Sequence, residues 1–174
     1  MGFFVHCRII SAVKRIEFVS HRLAYIVLSG RWHNIIVVNV HAPSVEKSDE
    51  SKDSFYEELE QVFDHFPKYH TKKLLGDFNA KVGRENTFKP TIGQEGLHQD
   101  SNDNGVRIVN FATSKYLVVK STIFPHRNIR KYTWTSPDGK THNQIDHVLI
   151  GDGTLVYWMC EVLGELIVIQ ITIW

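Results

Sequence analysis

The chain has 174 residues, 43% of them hydrophobic, which makes one domain with enough apolar material for a core. A formal net charge of +1 excludes a global pull toward polyanions, so any nucleic-acid contact has to come from a local patch. Cys7 and Cys160 match no metal-site spacing and read as free thiols in a reducing, intracellular compartment, the opening "MGFFVHCRII" carries no secretion or lipidation signal, and no apolar run approaches the ~18–20 residues of a membrane span.

In chain order, the apolar, β-branched runs 23–28 and 35–41 are joined through "SGRWHN" and predict an antiparallel hairpin ending before Pro43. From Ser51, Phe55, Leu59, Val62, Phe63 and Phe66 recur at helical spacing, and Ser54 and Glu57 stand at capping-box distance. The segment "KKLLGDF" (72–78) predicts a short buried strand after a crossover helix, with Asp77 at its carboxyl end, where α/β folds carry functional groups. Residues 84–103 are loop-like. Asn104-Gly105 opens a second helix, "YLVVKST" (116–122) is a strand, and residues 126–150 read as a hairpin around Pro137-Asp138-Gly139 with Asp146 in its second strand. This alternation is of the α/β class.

Several polar residues could carry chemistry. Asp77 and Asn79 flank Phe78, and if the strand persists both point to one side, a carboxylate able to take a proton from water beside a carboxamide able to orient it. The competing reading is an Asp-x-Asn turn that caps the strand. Asp146 sits in an apolar strand and needs a partner, either a histidine or backbone N–H groups, and the adjacent His147 points to the opposite face. His41, at a strand end, could touch a phosphate or be a plain surface residue. Arg127, Arg130 and Lys131, together with His126, precede Tyr132 and Trp134, which is either a phosphate- and base-binding segment or a solvated basic turn.

Taken in order, "NVHAPS", "LLGDFNAKVG", "DNGVRIVNFATSKYLVV" and "YTWTSPDGKTHNQIDHVLI" resemble the endonuclease/exonuclease/phosphatase superfamily, and more narrowly the apurinic-type endonuclease domain of LINE retrotransposons. The similarity runs from Gly2 to about Ile150. It implies part of a four-layer, DNase I-like α/β sandwich and Mg²⁺-dependent cleavage of DNA, in the nucleus and without membrane or small-molecule cofactor. By the resemblance Asp77 is the base that activates water and a possible metal ligand, Asn79 orients the water and contacts phosphate, and Asp146 holds a catalytic histidine. Thr133 and Trp134 would face DNA, and His41 stands where many relatives have a phosphate-contacting Tyr.

Two departures accompany the likeness. The family's early segment with its metal-binding Glu would precede a position equivalent to Gly2, and its closing Ser/Thr-Asp-His is not found in residues 151–174. The expectation is therefore a domain over residues 1–150 that lacks the first strands and the normal last strand, with impaired Mg²⁺ binding and weak or no activity. A non-catalytic DNA-binding remnant and a non-functional translation product are the alternatives. Residues 151–174 form a divergent tail for which a frameshift is one reading: Trp158-Met159 shifted by one base can encode Leu-Asp, and residues 169–172 can encode Thr-Asp-His. The apolar "LIVIQITIW" could also pair as a strand.

Overall fold

The computed structural model describes residues 2–125 and 127–151. The chain builds β1 (Val13–Phe18), β2 (Leu23–Leu28), β3 (Ile35–His41), α1 (Asp49–His65), β4 (Thr71–Asp77), α2 (Asp103–Ser114), β5 (Leu117–Val119), β6 (Trp134–Thr135), β7 (His142–Asn143) and β8 (Asp146–Gly151). Six strands make one mixed sheet in the order β1-β2-β3-β4-β8-β5, and β6 pairs with β7 in a separate two-stranded ribbon. The architecture is α/β, as the sequence predicts, and the described residues amount to one sheet with helices against one face.

The β2–β3 hairpin forms in the expected antiparallel register, and α1 crosses over so that β4 returns parallel to β3, Ile35 opposite Thr71 and His41 opposite Asp77. Phe55, Leu59 and Phe63, four residues apart, are the buried stripe of α1 and meet Leu23, Ile36, Val38 and Leu74 of the sheet and Ile108, Phe111 and Ala112 of α2. The cap differs from the expected one. Ser48, not Ser54, accepts the N–H of Ser51, so the helix starts before the predicted capping box, with Asp49 and Glu50 in its first turn complementing the dipole. Charged residues also link the two helices: Arg107 of α2 pairs with Asp49 and Asp53 of α1, and Lys115 with Glu60 and Asp64.

Two strands depart from the sequence reading. Strand β1 is an edge strand whose partly polar "VKRIEF" gives little signal, and it pairs with β2 through a register irregularity near Val13. Asp146 does not lie in the hairpin of residues 133–143. That ribbon ends at Asn143, and β8 then enters the main sheet between β4 and β5, where Ile150 is buried on one face and His147 and Leu149 on the other.

Opposite the helices, Ile26, Leu28, Ile35 and Val37 form a second apolar cluster, packed by Phe3, Val5, Val13 and Leu75. The N-terminal residues and the 3-10 turn Cys7–Ala12 lie along this side; Cys7 is an exposed free thiol. The tail from residue 152 onward, with Cys160 and "LIVIQITIW", and His126 lie outside the described residues. No helix among the described residues is long and apolar enough to cross a membrane.

Candidate active site

The strand periodicity sets the site. With Leu74 turned into the helix-side core, Asp77 belongs to the other face of β4, and the register places His41 of β3 and Asp146 of β8 on either side of it in one row. Directly opposed residues of neighbouring strands stand about 4.5–5.5 Å apart at Cβ, so the two carboxylates are close. Gly76 makes this possible: its φ is 139°, and a Cβ there would come within 2.1 Å of the Val40 carbonyl oxygen, so only glycine lets β3 run against the residue before Asp77.

The strand stops at Asp77. Asn79 has φ 48° and its N–H donates to Asp77 Oδ1 at 2.8 Å, which is the Asp-x-Asn turn; its Nδ2 donates to the Ala42 carbonyl at 2.9 Å. The turn reading of these residues is the one the backbone adopts. The turn fixes the Asp77 carboxylate and hooks the loop after β4 to the loop after β3.

Electrostatics mark the pair. Burial raises the Asp77 carboxyl above its ordinary value, with the Asn79 N–H and His41 pulling the other way. Burial, aided by the Asp77 charge and opposed by the Thr133 hydroxyl, raises Asp146 to about 6. His41 Nδ1 lies 3.5 Å from Asp77 Oδ2 without a well-formed hydrogen bond. His147 points away, as its position in the strand requires. It is fully enclosed between the Ala80 carbonyl and Ser121 Oγ, each 2.9 Å from a ring nitrogen, and burial drives it down to about 4.

The basic-aromatic segment is only partly presented. Arg127, Arg130 and Trp134 are exposed, but Lys131, the residue that closes the 3-10 turn Asn128–Arg130, is 5% exposed, so it does not stand on this surface with the arginines. Thr133 has a role the sequence did not disclose: its Oγ1 accepts the N–H groups of Ile145 and Asp146, at 2.9 and 3.1 Å, and so anchors the first residue of β8.

Two asparagines were also missed. Asn104 Nδ2 donates to the carbonyls of Pro43 and Asn79, both at 3.1 Å, joining the loops after β3 and β4 to the first turn of α2. Asn39, fully buried on the face of His41, has no hydrogen-bond partner for either carboxamide atom among the described residues. A polar residue two before His41 in an otherwise apolar strand was the available signal for it; nothing local signals Asn104.

Two carboxylates are hard oxygen donors of the kind Mg²⁺ takes. Among the described residues, however, no group of three or more His, Cys, Asp or Glu side chains gathers to hold a metal ion. The donors fit Mg²⁺ in kind and not in number.

No protein-family model matches the chain. Craniofacial development protein 2 of Bos taurus is 32% identical over 149 residues, 86% of this chain and 25% of that protein, and the Tragulus javanicus protein is 32% identical over the same length. The chain thus spans about a quarter of the curated relatives it matches. Among solved structures, the endonuclease domain of TRAS1, a telomere-specific non-LTR retrotransposon, gives a TM-score of 0.49 at 13% identity, covering 77% of this chain and 52% of that one. An endonuclease/exonuclease/phosphatase family protein from Leptotrichia buccalis gives 0.42 at 15% identity, covering 74% and 40%. What the comparisons show is thus a likeness in sequence to craniofacial development protein 2, over most of this chain and a quarter of that protein.

Proposed function

We propose that this chain carries the paired-carboxylate part of a Mg²⁺-dependent DNA endonuclease site of retrotransposon origin, and that the 174 residues alone cleave weakly or not at all. The observation that carries this reading is the row His41-Asp77-Asp146 at the carboxyl end of β3 and β4, with both carboxyls raised and Asn79 turned against the first. In it Asp77 receives a proton from water, Asn79 orients that water, and Asp146 supports the site from the neighbouring strand. Two carboxylates hold Mg²⁺ poorly, which is the physical ground for weak turnover. By this reading the chain acts in the nucleus.

Nicking of supercoiled DNA with Mg²⁺ tests it, comparing the chain with Asp77→Ala. Nicking at or near background, with any residue of activity lost in Asp77→Ala, is expected. Robust nicking abolished by the substitution would overturn the weak-activity part, and robust nicking indifferent to it would overturn the site.

A second reading, a DNA-binding module without catalysis, is favoured by the exposure of Arg127, Arg130 and Trp134 next to Thr133, which anchors Asp146. Salt-sensitive retention of duplex DNA, lost in Arg127→Ala/Arg130→Ala, supports it; no retention at low salt removes it.

A further inference from the structure

The end of the sheet away from Asp77 carries a second concentration of cations and exposed aromatics. Parallel pairing of β3 and β4 sets the loop before β3 beside the loop before β4, since Ile35 opposes Thr71. The two loops are fastened together: His33 Nε2 is 2.7 Å from Thr71 Oγ1, the Thr71 N–H donates to the Asn34 carbonyl at 3.2 Å, and Lys14 of β1 donates to Asn34 Oδ1 at 2.8 Å. Gly30 permits the tight bend, because a Cβ there would lie 2.2 Å from the His33 carbonyl oxygen.

On this framework two large aromatics stand in solvent. Trp32 is 84% exposed and Tyr69 70% exposed. The Arg31 guanidinium lies 5.3 Å from the centre of the Trp32 ring, and Tyr69 is braced edge-on by His70 at 4.3 Å. Charge is segregated as well. Residues 29–34 and 66–73 contain Arg31, Lys68, Lys72 and Lys73 and not one Asp or Glu. Lys72 turns inward to the Phe63 carbonyl, which leaves Arg31, Lys68 and Lys14 exposed on this end. The preceding carboxylate, Asp64, is held by Lys115.

We propose that this end of the sheet is a binding surface for single-stranded nucleic acid, with Trp32 and Tyr69 stacking on unpaired bases and Arg31, Lys68 and Lys14 contacting phosphates. Exposed aromatics favour a single strand over a duplex, since paired bases offer no ring face to them. Strand β4 separates this surface from Asp77 by six residue steps, about 20 Å, so the surface is distinct from the carboxylate site and does not depend on its being catalytic.

Anisotropy of a labelled oligothymidylate of about 20 nucleotides, titrated with the 174-residue chain at about 50 mM salt, tests it. Binding weakened about tenfold or more in Trp32→Ala/Tyr69→Ala, and in Arg31→Ala/Lys68→Ala, is expected, with Trp32→Phe retaining most of it. An oligouridylate arm tells RNA from DNA, and binding of either supports the proposal. Undiminished binding by the double aromatic variant, a duplex of the same length held as tightly as the single strand, or no binding at this salt would each overturn it.

Discussion

At the scale of single residues, Asp77 and Asp146 form an electrostatic liability. Two like charges brought side by side and part-buried destabilise the folded chain, so Asp146→Asn should raise the unfolding free energy near neutral pH by about 1–2 kcal/mol after allowing for solvent screening, and the thermal midpoint with it. The pH dependence follows with a definite sign. Asp146, at about 6 in the folded chain against 3.8 ordinarily, contributes stability that is present at low pH and lost as pH rises through 6. His147, held at about 4 against 6.5, does the reverse and loses stability as pH falls across the same window. Of these two opposed shifts the variant keeps the histidine's, so its melting temperature should fall more steeply than the wild type's between pH 6.5 and 4, read by thermal melts across that range. Asn104→Ala is the second residue-scale test: it strands the Pro43 and Asn79 carbonyls and should cost about 2–3 kcal/mol in denaturant unfolding.

At the scale of elements, the start of α1 gives a direct comparison. Ser48→Ala should cost about 0.5–1 kcal/mol of unfolding free energy and Ser54→Ala much less, because the first removes the cap that forms. The body of α1 was legible in the sequence, since Phe55, Leu59 and Phe63 repeat at helical spacing, while its first turn was not, since two serines offer similar local chemistry. The β2–β3 hairpin and the crossover to β4 were readable from apolar runs and turn residues. Strand β1 was not, because an edge strand shows only a broken alternation, and β8 was assigned to the wrong partner because pairing is decided by which faces are buried rather than by proximity to a turn. The site divides in the same way. Asp77 at a strand end was legible from "LLGDFN", but Asn104 was not, since its partners lie 61 and 25 residues away in sequence.

At the scale of the whole molecule, apolar side chains remain on the outside of the sheet. Ile16 and Phe18 of edge strand β1 are 44% and 60% exposed, and Phe4 and Ile10 of the N-terminal residues are 71% and 64% exposed. An edge strand with no outer partner among the described residues, beside exposed apolar groups, favours association. Light scattering after gel filtration should show mass rising with concentration, and Phe18→Lys should shift the chain toward monomer while leaving its melting temperature nearly unchanged; a wild type that stays monomeric over the accessible range would contradict this.

The alternation of Asp146 and His147 across β8 has a consequence for folding as a chemical event. Near pH 5 the unfolded chain carries a charged carboxylate at one residue and a charged imidazolium at the next, whereas in the folded chain both are neutral. Folding thus hands one proton from a histidine to its neighbour in sequence, across the plane of the sheet, and this pair exchanges almost none with solvent. Calorimetric unfolding of the wild type in buffers of different ionisation enthalpy should then show little buffer dependence from these two residues at pH 5, while Asp146→Asn should expose the uptake of about one proton.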